Sequence, residues 1–153
     1  MSSHTVSKLL VAAIIFTAVT GGAVAGDTMR LQQVREGRFV YFADLDTISR
    51  EGSGARLRSL QMSDEPMLID GKAYIGGYSN WQFDCEARTG RREDYASLRD
   101  DGTVGPVTPI RSQPIDLAPG GEAAELAAVA CGEVPQSLDA TSIEEALALT
   151  RAF

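Results

Sequence analysis

The amino-acid sequence predicts an α+β fold: an antiparallel β-sheet of about five or six strands, a packed C-terminal helix, a further helix at the chain's end and one disulfide. Three observations carry this. From Asn80 to Glu86 the chain alternates, with Trp81, Phe83 and Cys85 on one face and Asn80, Gln82, Asp84 and Glu86 on the other, the period of a half-buried strand. Residues 122–131 are alanine-rich, acidic in the first turn and followed by Gly132, the composition of a helix and its stop. The strand-like segments precede the helices rather than alternating with them, which separates α+β from α/β.

The chain opens with the three parts of a secretory signal peptide: a polar start carrying Lys8, an apolar run from Leu9 to Thr20, and Ala23-Val24-Ala25 before a cut. A spanning helix needs roughly 20 apolar residues, so this run suits a cleaved leader and not a lasting anchor. Cleavage is expected between Ala25 and Gly26, and the mature product should have no stable membrane insertion. Three parts follow: signal peptide 1–25, an α+β domain 26–135 and a helical tail 136–153.

Within the domain, Thr28 to Val34 is mixed. Arg38 to Phe42 is rich in aromatic and β-branched residues and reads as a strand stopping near Asp44. Turn chemistry at Glu51-Gly52-Ser53-Gly54 leads into a second strand, Ala55 to Met62. Asp64-Glu65-Pro66 and Asp70-Gly71 bracket Met67-Leu68-Ile69 as a loop. A long strand then runs from about Tyr74 to Arg88, with Gly76-Gly77 marking a bulge or a close backbone approach. Thr89-Gly90 reads as a hairpin turn, with Tyr95 and Leu98 on the returning strand. After the Asp100-Asp101-Gly102 turn, Pro106 and Pro109 confine Val104 to Val107 to a sheet edge. In the helix from Glu122 to Cys131, Leu126 and Val129 face the sheet. Ser142-Ile143-Glu144-Glu145 has the form of a capping box opening the last helix, striped by Ile143, Ala146, Leu147 and Thr150. That stripe suits packing on the domain, or alternatively a partner-binding tail.

Composition narrows the function. The leader holds one of the 14 basic residues and none of the 21 acidic ones, so the mature chain carries a net charge of −8. Such a charge repels phosphate backbones and anionic lipid heads, which argues against nucleic acid as a partner. The sole histidine, His4, lies in the leader, which removes from the mature chain the side chain that most often moves protons or binds zinc near neutral pH. Two cysteines in an exported chain predict a Cys85–Cys131 bond, with free buried thiols or an intermolecular bridge as the alternatives. No catalytic residue, metal site or cofactor is predicted.

Two constellations could carry chemistry. Phe39 to Ile48 superficially resembles the first motif of haloacid-dehalogenase-type phosphatases, a hydrophobic strand running into Asp44-Leu45-Asp46. That resemblance implies an aspartate-dependent phosphate-ester hydrolase with magnesium, against the plain reading of a strand-end turn. Tyr78, Trp81, Arg88, Arg91 and Arg92 form the candidate binding patch, since Trp and Arg concentrate in binding hot spots. The competing expectation places Trp81 in the core, in phase with Phe83, and the arginines in solvent around a hairpin.

The segment from Ser79 to Cys131 resembles the surface-adhesin protein E-like domain of bacterial envelope proteins. It has a strand ending in Asp84-Cys85, then Arg88, Arg91, Tyr95, a turn glycine at Gly102, Pro119-Gly120 and a helix closing in Cys131. The aromatic strand leading to Asp44, and Arg50 after it, fit the family's opening. The tryptophan expected ahead of Pro119-Gly120 is absent, and Gly121 stands where a serine is usual. The resemblance implies an antiparallel sheet with a packed helix and the Cys85–Cys131 bridge. It also implies an exported, non-enzymatic domain, periplasmic or secreted, with a protein or peptide partner. The alternative is a structural or accessory subunit of an envelope assembly that docks through its last helix.

Overall fold

A computed structural model describes residues 28–152 of the protein. The expected leader and the cut between Ala25 and Gly26 lie outside the described residues.

Eight strands build one antiparallel sheet: β1 (Leu31–Arg35), β2 (Phe39–Glu51), β3 (Gly54–Ile69), β4 (Lys72–Asp84), β5 (Thr89–Arg92), β6 (Asp94–Arg99), β7 (Thr108–Pro109) and β8 (Ile115–Asp116). Helices α1 (Glu122–Cys131) and α2 (Ile143–Thr150) follow. The α+β class is as expected, but the sheet is larger than five or six strands. β1 to β4 form a meander, and β5 and β6 lie end to end along the free edge of β4, their register moving by one residue between Trp81↔Arg92 and Tyr78↔Ala96. The short β7 and β8 line the outer edge, where prolines confine pairing to a few residues.

Three boundaries differ from those read in the sequence. β2 runs on through Asp44, with a bulge before Ser49, because Asp44 finds charged and backbone partners inside the sheet. β3 continues through Asp64-Glu65-Pro66 to Ile69, so Met67-Leu68-Ile69 is strand, paired with Lys72 to Tyr74, and not loop. Pro66 is tolerated because pairing with β2 starts at Phe39↔Ser63, leaving that stretch of β3 a free edge. β4 ends at Asp84, whose carboxylate accepts the backbone N–H groups of Glu86 and Ala87 at 3.1 and 2.9 Å. The turn therefore falls on Cys85 to Arg88, where Arg88 takes φ +56°, and Thr89-Gly90 belongs to β5. Gly90 is needed for packing, since a Cβ there would sit 2.8 Å from the Phe83 ring.

Alternation along β2 to β4 sends apolar residues to both faces. On one face Ala43, Leu45, Ala55, Leu57, Trp81 and Phe83 pack against α1, which buries Leu126 and Val129 as expected. On the other, Leu31, Val40, Phe42, Leu60 and Met62 pack with Ala146 of α2. The connection between the helices crosses the β1 edge as a strap. Leu31 N–H donates to Ala140 O at 2.9 Å, Ala140 N–H returns to Leu31 O at 3.1 Å, and Met29 N–H donates to Thr141 O at 3.1 Å. The buried amide of Gln32 holds the strap from the side: Nε2 donates to Pro135 O and Oε1 accepts from Ser137 N–H, both at 3.2 Å. Ser142 caps α2, its hydroxyl accepting Glu145 N–H at 3.1 Å, and Glu145 accepts the N–H and hydroxyl of Thr141. These bonds hold the Glu145 carboxyl below its ordinary value, backbone hydrogen bond first.

Two devices fix the end of α1. The Cys85–Cys131 disulfide ties it to the β4–β5 turn. Arg50 of β2 donates from Nε to Ala130 O at 2.5 Å and from Nη2 to Val129 O at 3.3 Å, meeting the negative end of the helix dipole. Gly132 ends the helix at φ +76°, and a Cβ there would lie 2.8 Å from the Arg50 guanidinium. Arg50→Ala is expected to cost about 2 kcal/mol in urea denaturation, because it takes a charged donor from the carbonyls of two buried residues, Val129 and Ala130.

Candidate functional site

The helices leave part of the sheet bare. On the α2 face, the helix and the strap cover the β2 and β3 residues Val40, Phe42, Leu60 and Met62. Beyond them the face turns polar in register. Leu60, Tyr78 and Ala96 form one row; Arg58 and Asn80 the next; Arg56, Gln82 and Arg91 the third; Gly54, Asp84 and Thr89 the last. Four adjoining hollows run from the Gly54 row back to the Tyr78 row and share walls: Gly54 and Gln82 between the first and second hollows, Ser49 and Arg56 between the second and third, Arg58, Asn80 and Asp94 between the third and fourth. They join into one strip.

Most of its charges are paired. Asp44 is buried at the strip's margin, its Oδ2 accepting from Arg58 Nε and Nη2 at 3.0 and 2.6 Å and its Oδ1 accepting the Asp46 N–H at 3.3 Å. Arg58 also lies over the Tyr78 ring, 5.0 Å from its centroid. Burial pushes the Tyr78 phenol above its ordinary value; Arg58 opposes that shift and Asp44 adds to it. Arg91 donates from Nη2 to Gln82 Oε1 at 2.6 Å and to Glu93 at 3.3 Å, and Arg56 pairs with Glu93 at 3.6 Å. Asp94 accepts the Asn80 N–H and Nδ2 at 2.8 and 2.9 Å. Alternating amides, guanidinium groups and carboxylates present directional donors and acceptors with little net field, which suits recognition of another polar chain more than capture of an ion.

The five residues of the expected patch do not form one surface. Trp81 is core, 4 % exposed, stacked on Phe83 with centroids 5.9 Å apart and donating Nε1–H to Ser59 Oγ at 3.0 Å. Arg92 shares that α1 face, lying over the Trp81 and Tyr95 rings at 5.9 and 5.2 Å and donating Nε–H to Ser79 Oγ at 2.7 Å. Arg88 sits in the turn, paired with Glu133. Only Tyr78 and Arg91 reach the strip. Period-two geometry accounts for the split: Tyr78 and Trp81 are three apart, and Arg91 and Arg92 are adjacent, so each pair straddles the sheet. The residues missed, Arg56, Arg58 and Asp94 with Asn80 and Gln82, carry a signal in the sequence, since Asn80 and Gln82 are the polar phase of the same alternation.

Asp44 and Asp46, the aspartates of the phosphatase-like motif, do not converge on a substrate position. Asp44 is held by Arg58, and Asp46 points to solvent beside Arg30 at 3.6 Å. Among the described residues, no group of three or more His, Cys, Asp or Glu is placed to hold a metal ion. Among the same residues, no helix is long and apolar enough to cross a membrane.

A family model described as surface-adhesin protein E matches residues 29–132, from the start of the sheet to the end of α1. No curated protein and no solved structure matches the chain.

Proposed function

Since the chain belongs to the surface-adhesin protein E family, we propose that it acts as an exported, non-enzymatic domain at the bacterial envelope that binds a protein or peptide partner along the polar strip of its sheet. One observation carries this reading: the strip between Gly54 and Asp94 is a continuous run of hollows on a sheet face that α2 and the strap leave uncovered. The disulfide and the leader-like first 25 residues support export to an oxidising compartment. The acidic mature chain disfavours nucleic acid and anionic lipid as partners.

An accessory subunit would dock through the last helix. Ala146 and Thr150 of that helix are buried against the domain itself, so its apolar stripe is already used. The strip, by contrast, is left uncovered by that helix.

The experiment fills the strip without touching the core. Asn80→Arg with Gln82→Arg is compared with Ala148→Arg on the exposed side of α2, using the envelope or matrix protein that the wild type captures. The strip variant should lose at least about tenfold in affinity while melting within about 2 °C of wild type. Equal capture by all three proteins would refute the strip as the binding surface.

A further inference from the structure

The end of the strip differs from the rest. Beyond Asn80 it continues as a groove of about 380 Å³, lined by Tyr78 and Ala96 and flanked by Met29 on one side and Val104 and Val107 on the other. Val104 and Val107 are 50 % and 62 % exposed, so the wall presents apolar surface to solvent. The volume lies toward the lower end of the range for ligand sites, about 300 to 1,000 Å³, which suits a few side chains of an extended segment and not a folded domain.

Two charged residues line this groove, Arg58 and Asp94. Arg58 is neutralised by Asp44 through two hydrogen bonds and has its face on Tyr78. Asp94 has only the neutral Asn80 as hydrogen-bond partner, and no cation pairs with it among the described residues. The neighbouring Glu93, by contrast, is matched by Arg56 and Arg91. The groove therefore carries one uncompensated negative charge beside an apolar wall. An anionic ligand would meet that carboxylate in a partly desolvated place, while a cation attached to an apolar group would satisfy both features at once.

We infer that the groove between Met29 and Val107 recognises an extended peptide segment in which an aliphatic residue stands beside a lysine or arginine. The aliphatic side chain lies between Met29, Val104 and Val107, and the cation meets the Asp94 carboxylate. This rests on the reading of the strip as a peptide-binding surface and adds the partner's chemistry to it.

The test follows backbone amide NMR shifts of the oxidised mature protein during titration with three blocked tetrapeptides: acetyl-Ala-Leu-Lys-Ala-amide, acetyl-Ala-Leu-Glu-Ala-amide and acetyl-Ala-Ser-Lys-Ser-amide. The Leu-Lys peptide should shift Asn80, Asp94, Ala96 and Val104 saturably and bind at least about fivefold more tightly than either of the others. Asp94→Asn should remove the preference for Lys over Glu. Should Asp94→Asn unfold the domain, Val107→Lys at the exposed rim provides the same reading by repelling the basic peptide. Groove shifts equal for Leu-Lys and Leu-Glu, or larger for Leu-Glu, overturn the inference and leave the strip as a peptide site of other preference. No groove or strip shift with any peptide overturns both.

Discussion

Replacing Cys85 and Cys131 together by serine is expected to lower stability by about 4 kcal/mol, the chain-entropy value for closing a loop of this length. The two residues are 46 apart in sequence, and the bridge joins the turn after β4 to the last residue of α1. Both cysteines are partly exposed, so serine leaves no polar group stranded in the core, and the loss is mainly that of the cross-link. For a domain of this size the melting temperature should fall by more than about 10 °C. Dithiothreitol should produce a similar fall in the wild type and none in the double variant. The loss should be regional. Arg50 still holds the Val129 and Ala130 carbonyls, so α1 is expected to fray from Cys131 toward the β4–β5 turn while the α2 side of the sheet keeps its amide protection.

Truncation after Pro135 should be comparably damaging. It removes the strap that pairs with Leu31 and the helix that covers Val40, Phe42, Leu60 and Met62, all fully buried in the intact chain. Exposing that cluster, and freeing the N–H and C=O of Leu31, should cost at least about 3 kcal/mol and leave a species that binds hydrophobic dyes. Ala146→Asp makes the same point with one residue, since a carboxylate would enter a fully buried position with no partner. A truncated chain melting like the full-length protein would show that the tail is an appendage and that the domain ends near Pro135. Ala140 and Ala146 of the tail share a packed cluster with Leu31, Val40 and Phe42, while the family match ends at Gly132.

Much of this architecture can be read in the residues, and the failures share a cause. Helix α1 and its stop at Gly132 are local facts of composition. The alternation of Trp81 and Phe83 names the buried face of β4 without knowledge of its neighbours. β1 escapes because Leu-Gln-Gln-Val-Arg puts an amide where a hydrophobe would signal burial, and Gln32 is buried only because a strap more than 100 residues later satisfies it. Asp44 misleads in the same way, as a turn residue in isolation that inside the sheet is the partner of Arg58, 14 residues away. Pro66 reads as a break because its tolerance depends on where β2 stops pairing. The candidate patch gathered Trp81 with Arg91 and Arg92 by nearness in sequence. The polar phase of β4 was visible, but its neighbours Arg56, Arg58 and Asp94 reach it only through strand register.

Photocrosslinking in the living host shows whether the bare polar strip is where this domain meets its partner. A photoreactive side chain at position 82, on the floor of the strip, is compared with one at position 148, on the exposed side of α2. A discrete adduct is expected from position 82 that disappears with Asn80→Arg and is absent from position 148. The same adduct from position 148, or none from position 82 while position 148 reacts, would contradict it.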